Sequence, residues 1–500
     1  MFALTSRLPT VLRPLAFVVI LALLPLPSFG APARAAATAS LGALDVIALE
    51  ICYTTVVARY YKPVEPAALL GGARTGIVAY LARQGVTDPA IPLASPKADR
   101  YRAESEIDRD VALAVARYGT RVRTPDLVES TIAGELAALH DPYTVLFPPV
   151  AYKKFIGFLD GRLAAGIGAE LDVDPQTHAV RVVDVFPGGP AEAAGLAAGD
   201  VLTAIDGSAP PATTPAAVGT ALRGTTGSTV RIEFSRGGEA HEVTIVRRLI
   251  AAPDVTGRQL DGRIGYVRLR TFGAQSAAQL NAVLTILRTA GVRAYVLDLR
   301  ANGGGYRDAA IAVASHFVRG TVVTTQERTG KPSVFVANVA TATIDGPVAV
   351  LVDGDTASAA EIVAGAMQDD KAGTLIGTRT FGKGLVQETF ALPDGGAIKM
   401  TTARYLTPAG RDIDGVGIVP DVVVDEPADA HPGQPGHDPQ LDRALALLAT
   451  AQPGGAVNGS SKVAASVVAS GSGNSSSSGR WSATNTLPSG WVVRARSSQP

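Results

Sequence analysis

An α/β core, with a β-rich module inserted ahead of it and a helical region before that, is the fold class this sequence predicts. Strand and helix signals alternate from Ile264 onward, which argues for parallel strands joined by crossover helices. Ahead of that, from Gly161, the texture is short β-branched runs between glycine turns. Earlier still, residues 41–139 carry apolar residues at intervals of three and four.

In order, residues 41–70 read as helix, with Leu41, Leu44, Ile47, Ile51 and Val56 on one approximate face, and Leu69 to Leu81 continues the pattern. Pro89, Pro92 and Pro96 make 87–100 a loop. Helices follow over 104–118 and 125–139, the second with Asp126 in its first turn to complement the helix dipole. Residues 140–148 read as a turn.

In the module, Val180–Val185, Asp200–Ile205, Thr229–Phe234 and Glu242–Val246 read as strands, the last two paired around Arg236-Gly237-Gly238. Asp206-Gly207 reads as a hairpin turn, and Ala191–Leu196 and Pro215–Leu222 as short helices. In the core, strands at 264–269, 293–299 and 348–352 alternate with helices at 274–290, 306–317 and 358–368. A hairpin follows, 385–392 with 397–406, and then a short helix at 441–448. Beyond Pro453 the chain is rich in Gly, Ser and Ala and is expected to be disordered; its two Asn-x-Ser matches, at Asn458 and Asn474, read as chance.

Five hundred residues allow two to four domains, and 47% hydrophobic against 18% charged residues allows a sizeable core. With 45 basic and 45 acidic residues the formal charge is +0, so nothing marks a nucleic-acid partner. Cys52 is the one cysteine; it cannot form an intrachain disulfide, and its apolar helical run makes it a buried structural thiol. No Cys/His set has metal spacing, so neither metal nor other cofactor is expected. Of the six histidines, His316 reads as a packed core residue.

Arg7 and Arg13 precede an apolar run from Leu15 to Leu24, then Pro25, Pro27 and the small residues of 33–37. The run is about half the ~20 residues a membrane span needs, so residues 1–37 are expected to be a cleaved secretory signal. The mature chain is then expected to be periplasmic or extracellular with no membrane span, or membrane-associated if the signal is retained.

Two segments carry chemistry. Ser358 opens a predicted helix after a strand and the turn Asp353-Gly354-Asp355. A serine there could attack a carbonyl while the N–H of Ala359 steadies the oxyanion. The Ser358-x-x-Glu361 spacing also fits a capping box, a purely structural use. Lys383 lies twenty-five residues on, between Gly382 and Gly384 and beside Phe381 and Leu385. A free lysine, with a pKa of roughly 10.4, is no base at neutral pH; lowering it by about three units costs the ammonium form about 4 kcal/mol, which burial can supply. Gln387, four residues on, shares a strand face with Lys383 if the segment is extended, and could orient its amine. Asn302-Gly303-Gly304-Gly305 follows a predicted strand, where α/β folds place ligands, and could offer a second oxyanion N–H; it reads equally as a turn.

These segments resemble those of the carboxyl-terminal processing peptidases, which are serine peptidases with a Ser-Lys dyad and an embedded PDZ domain. The likeness runs from about Leu69 to Leu448. It rests on His140-Asp141-Pro142-Tyr143-Thr144, Gly166-Ile167-Gly168-Ala169, Gly189-Pro190-Ala191-Glu192-Ala193-Ala194-Gly195-Leu196 with Gly199-Asp200, and Asp298-Leu299-Arg300-Ala301-Asn302-Gly303-Gly304-Gly305. Ser358-Ala359-Ala360-Glu361-Ile362, Thr380-Phe381-Gly382-Lys383-Gly384-Leu385-Val386-Gln387 and Tyr405-Leu406-Thr407-Pro408-Ala409-Gly410-Arg411 complete it.

The resemblance implies Ser358 as nucleophile, Lys383 as general base and Gln387 as its orienter. It implies oxyanion N–H groups from Ala359 and one glycine of 303–305, with Gly304 and Gly305 the candidates; the family often has proline or serine where Gly303 stands. It implies that a substrate C-terminus adds as a strand to the PDZ module, its carboxylate at the backbone of Gly166, Ile167, Gly168 and Ala169. Leu171 and Leu222 are candidates to line the pocket for the last side chain, and read equally as core. Partners are then protein or peptide C-termini; a homo-oligomer is left open, since the 84–123 segment looks longer than the family's usual N-terminal helices.

The expected layout is signal 1–37, helical region 38–158, PDZ domain 159–249, peptidase core 250–430, a helix at 431–452 packing on the core, and the tail 453–500. The expected activity is an exported serine endopeptidase acting near substrate C-termini. A non-catalytic PDZ scaffold would be marked by loss of Ser358 or Lys383, and both are present. A trypsin-like peptidase with a PDZ domain needs a serine inside its glycine-rich loop, which 303–305 lacks.

Overall fold

The computed structural model describes residues 41–451, apart from 92–97, 161–163, 175–176, 187, 212–213, 261–262, 342–343, 428–429 and 431, together with residues 466–467. The expected signal at 1–37, and all of the tail but 466–467, lie outside the described residues.

Four helices come first: α1 (Ala43–Arg59), α2 (Pro66–Arg83), α3 (Arg100–Tyr118) and α4 (Thr124–Ala137). The expected continuous helix over 41–70 is instead two, because Pro63 and Pro66 punctuate the segment and Pro66 serves as a first-turn residue of α2. The face of α1 also differs from expectation. Leu44 is 62% exposed and Ile47 is exposed, whereas Leu49, Cys52, Tyr53 and Val56 are buried. Gly72, Gly76 and Gly134 let α2 and α4 pack backbone to backbone: a Cβ on Gly76 would lie 2.1 Å from the Ser130 carbonyl. Within this bundle Cys52 is fully buried, as expected, and burial followed by the nearby Glu135 carboxyl pushes its thiol pKa up.

The expected turn at 140–148 contains a strand, β1 (Val145–Phe147), which leads to α5 (Pro149–Leu159). The module then comprises β2 (Ala164–Gly166), β3 (Ala169–Val173), β4 (Val180–Val185), α6 (Pro190–Ala193), β5 (Val201–Ile205), α7 (Pro215–Leu222), β6 (Thr229–Arg236), β7 (Glu239–Val246) and β8 (Arg248–Ile250). Its five-stranded sheet runs β3-β4-β5-β6-β7, so β3 is an edge strand. Asp206-Gly207 turns the chain after β5 as expected, but only a single bridge, Ile205 to Ser208, follows it.

The core comprises β9 (Val255–Gln259), β10 (Ile264–Leu269), α8 (Ser276–Thr289), β11 (Ala294–Asp298), α9 (Arg307–Ala314), β12 (Thr321–Glu327), β13 (Ser333–Val336), β14 (Val348–Val352), α10 (Ala359–Asp369), β15 (Thr374–Gly377), β16 (Leu385–Ala391), β17 (Ala397–Leu406), β18 (Val422–Val423), α11 (Pro439–Ala451) and β19 (Ser466–Val467). Strands β10, β11, β14, β15 and β18 pair in parallel, as the alternation predicts, and β9 closes one side antiparallel. The five residues of β11 and of β14 are all buried, as strands covered on both faces require. Helices α8, α9 and α10 cover one face, through Val283, Val313 and Val363, while α11 covers the other through Leu441, Ala444 and Leu448.

A second core sheet combines the expected β16–β17 hairpin with β1, β12 and β13. Through Ile398 and Met400, β17 also packs into the helical bundle, joining bundle to core. Residues 466–467 of the tail pair with β9, so part of the segment expected to be disordered adds to the sheet edge.

Module and core are joined by charge. Arg270, just beyond β10, donates to Glu170 Oε2 (2.6 Å) and Asp184 Oδ2 (3.2 Å), and Arg268 pairs with Glu170 Oε1 (3.1 Å).

Candidate active site

The parallel sheet ends where three loops converge: 299–306 after β11, 353–358 after β14, and 378–384 after β15. Ser358 stands at the head of α10 with φ 58° and ψ −118°, a left-handed conformation that costs a non-glycine residue strain. Tyr405, fully buried, donates its hydroxyl to the Ser358 carbonyl (3.1 Å). Thr356 donates to the Leu299 carbonyl (2.9 Å), and Ala357 N–H to the Asn302 carbonyl (2.9 Å), so the serine turn is tied to the glycine loop.

Glu361 does more than cap. Its carboxylate, 0% exposed, accepts the Ser358 N–H on Oε2 (2.9 Å), as the capping spacing predicts. The same oxygen accepts the Lys383 N–H (2.8 Å), while Oε1 accepts Gly382 N–H (2.8 Å) and the Thr380 hydroxyl. One carboxylate thus ties the helix head to the lysine loop. Gly382 is required there: with φ 87°, a Cβ would stand 2.7 Å from Gly417 N and 2.9 Å from Val416 N.

The Lys383 side chain is largely buried. Burial, reinforced by the Lys399 ammonium and opposed by Asp141 and Glu361, pulls its pKa down to about 8. Its amine lies over the Tyr143 ring, 4.6 Å from the centroid, and makes no hydrogen bond to Ser358 Oγ or to Gln387. Gln387 donates instead to Thr401 Oγ1 (3.4 Å). The expected shared face is interrupted because Lys383 precedes β16 and a register shift falls between Val386 and Gln387. Beside this site a cleft of about 430 Å³ opens between Tyr60, Tyr61, Tyr143, Leu139 and Leu385.

In the glycine loop, Gly304 (φ 99°) lies against Ser358: a Cβ there would be 2.8 Å from Ser358 Cβ and 2.9 Å from Ala359 N. The Gly304 N–H, however, donates to Asn302 Oδ1 (2.9 Å). The N–H groups of Ala359 and Gly305 have no hydrogen-bond partner among the described residues. Phe272 N–H and the Thr271 hydroxyl both hold the Gly304 carbonyl (3.0 Å each). Asn302, Tyr143 and Tyr405 have roles that no spacing rule revealed, and Glu361 has one beyond the predicted cap, although each sits within a segment already singled out.

In the module, Gly166 ends β2 and Ile167-Gly168 leads to Ala169 at the start of edge strand β3, with the Gly168 carbonyl held by Phe186 N–H (2.8 Å) and the Ile167 carbonyl by Ala191 N–H (2.7 Å). Leu222 is buried in the module's core, and Leu171 packs partly buried against the same core. Among the described residues no group of three or more His, Cys, Asp or Glu could hold a metal ion, and no helix is long and apolar enough to cross a membrane.

The profile of peptidase family S41 matches residues 263–424, and that of the PDZ domain matches 181–236. A carboxyl-terminal-processing protease of Synechocystis sp. is 38% identical over 313 residues, covering 61% of this chain and 73% of the relative. One from Bartonella bacilliformis is 36% identical over 332 residues, covering 63% and 75%. Among solved structures, the photosystem II D1 C-terminal processing protease is 29% identical with a TM-score of 0.43, covering 77% of this chain and 95% of that one. The chain belongs to the carboxyl-terminal processing peptidases of family S41, serine-type peptidases, and carries their PDZ domain.

Proposed function

We propose that this peptidase is exported, captures substrate C-termini in its PDZ groove, and cleaves with a Ser358–Lys383 dyad. The observation that carries the dyad is the Glu361 carboxylate, which holds the Ser358 and Lys383 backbones together while burial keeps the lysine amine within reach of its neutral form.

In the proposed reaction, the Lys383 side chain leaves Tyr143 and its neutral amine takes the Ser358 Oγ proton. Oγ bonds to the scissile carbonyl carbon, and the carbonyl electron pair moves to oxygen. The N–H groups of Ala359 and a glycine of 303–305 stabilise that oxyanion; the Gly305 N–H is uncommitted among the described residues, whereas Gly304 would first release Asn302. Collapse breaks the C–N bond, and the Lys383 ammonium protonates the departing amine. Water, deprotonated by Lys383, then hydrolyses the acyl-enzyme and returns the proton to Ser358.

An extended peptide would add beside β3, an edge strand, with its carboxylate at Ile167, Gly168 and Ala169. Tethering the C-terminus raises the effective concentration of the chain at Ser358. Ser358→Ala and Lys383→Ala are each expected to abolish cleavage of an unfolded model protein and leave the fold intact; normal turnover in either variant refutes the dyad. Deleting the PDZ module should change turnover or C-terminal selectivity, and no change removes its proposed role. Export is tested by N-terminal sequencing of the mature protein, with a start near residue 38 expected.

A further inference from the structure

Arg300, the residue that leads toward the glycine loop, is held by a carboxylate from near the C-terminal end of the described chain. Arg300, 4% exposed, directly follows Leu299 after β11, and its guanidinium ends among carboxylate and amide acceptors. Its guanidinium donates to Asp298 Oδ1 (3.0 Å) and Oδ2 (2.7 Å). It also forks onto Asp438, at Oδ1 (3.0 Å) and Oδ2 (2.7 Å), and reaches Gln440 Oε1 (3.2 Å) and Glu426 Oε1 (3.3 Å). Asp438 is 0% exposed and already anchored: it accepts Leu441 N–H (2.9 Å) in the first turn of α11, and Gly433 N–H (2.6 Å).

Past Arg300 the backbone enters the loop at once. Ala301 takes φ 56° with its N–H on the Asp353 carboxylate, and the Asn302 carbonyl holds Ala357 N–H. Gly303–Gly305 follow. Arg300 is therefore the last anchored side chain before Asn302 and the glycines. Asp438 anchors it from a different part of the chain, beyond the family match that ends at residue 424.

We infer that Asp438 is a positioning residue for the peptidase reaction, orienting Arg300 and through it the N–H groups of Gly303–Gly305. The inference rests on the reading of those N–H groups as oxyanion donors. Asp438 offers acceptors only, matched to four donors; an asparagine would turn an N–H2 group toward some of them. A buried guanidinium that loses one of its two buried carboxylate partners must find another acceptor, and the adjoining backbone moves with it.

The test compares Asp438→Asn, Asp438→Glu and Leu448→Ala in the full chain; Leu448 is buried on the same sheet face and serves as a stability control. D438N is expected to lower kcat by about ten- to a hundredfold with KM nearly constant, and to slow labelling of Ser358 by a fluorophosphonate by a similar factor. D438E, which keeps the charge, should recover part of both. L448A should lower Tm yet leave kcat intact well below its Tm. The inference is overturned if D438N loses no more kcat than L448A at matched Tm, or if its loss lies wholly in KM. If D438N does not fold, D438E is read by the same kcat criterion. Ser358→Ala run alongside separates the two readings: turnover in S358A defeats the dyad itself, whereas an inert S358A beside a fully active D438N defeats only the positioning role.

Discussion

The backbone N–H groups of Ser358 and Lys383 meet on one oxygen, Glu361 Oε2, at 2.9 and 2.8 Å. The proposed nucleophile and base therefore cannot drift apart without breaking hydrogen bonds to a buried carboxylate. The lysine amine itself lies over the Tyr143 ring, 4.6 Å from its centroid, so the proposed reaction requires it to move to the serine.

Glu361→Gln should damage both stability and activity. Four donors converge on the carboxylate, and the amide nitrogen of glutamine would face some of them. Leaving two or more buried donors unmatched costs roughly 2–5 kcal/mol, and displacing the serine turn from the lysine loop should cost activity about a hundredfold or more. Thermal melting and kcat measured on the same preparation check this.

Gly304→Ala should be far worse than Gly303→Ala. A Cβ at 304 meets the Ala357 carbonyl and Ser358 Cβ at 2.8 Å in a positive-φ conformation, whereas nothing lies within 4 Å of one at 303. The first variant is expected to lose about 1–3 kcal/mol of stability and most of its turnover, the second little of either. Fluorophosphonate labelling rates with thermal melts distinguish them.

The pH profile of kcat/KM should have an acidic limb near pH 8. The proposed base works only when neutral, and burial, with Lys399, holds the Lys383 pKa down to about 8. Activity thus rises with pH through that value. Lys399→Met removes a like charge, which raises the Lys383 pKa, so the limb should move to higher pH. A limb unmoved in K399M would show that Lys399 does not act on the base.

Glu135→Leu should stabilise the protein. Both Glu135 carboxyl oxygens are buried without a hydrogen-bond partner, and burial, with Asp108, pushes the pKa well above the usual carboxyl range. The folded state therefore keeps a proton that the unfolded state releases above roughly pH 4.5, so stability falls as pH rises from there through the folded pKa. Removing the carboxyl should add about 1–3 kcal/mol near neutral pH and flatten that part of the pH–stability curve. Urea titrations at several pH values measure both.

The parallel strands at 264–269, 294–298 and 348–352 and the hairpin at 385–406 were legible because each is a continuous apolar or alternating run bounded by turn residues. Strand β12 was not, although it pairs with nearby β13: the burial of the two strands follows no clean alternation, and the other partner of β12, β17, lies some eighty residues away. The buried face of α1 was misread for a related reason: its face is chosen by α3, α4 and β17, not by the helix itself. Gln387 kept its place in the chain, but the register shift beside it turned its amide toward Thr401.

Sequence alone determined a serine at a helix head after a buried strand, a lysine between two glycines, a glycine run after a neighbouring strand, and the motifs that mark the peptidase family and its PDZ domain. These follow from short-range rules, in which a few adjacent residues set dihedrals, caps and turns. Tertiary structure decided that Ser358 and Lys383 share the Glu361 carboxylate, that Gly304 spends its N–H on Asn302 while Gly305 keeps its own, and that Asp438 reaches Arg300. Each of these is a buried polar group matched to a partner, and which partner reaches it depends on how the separate layers pack, a relation no window of adjacent residues contains.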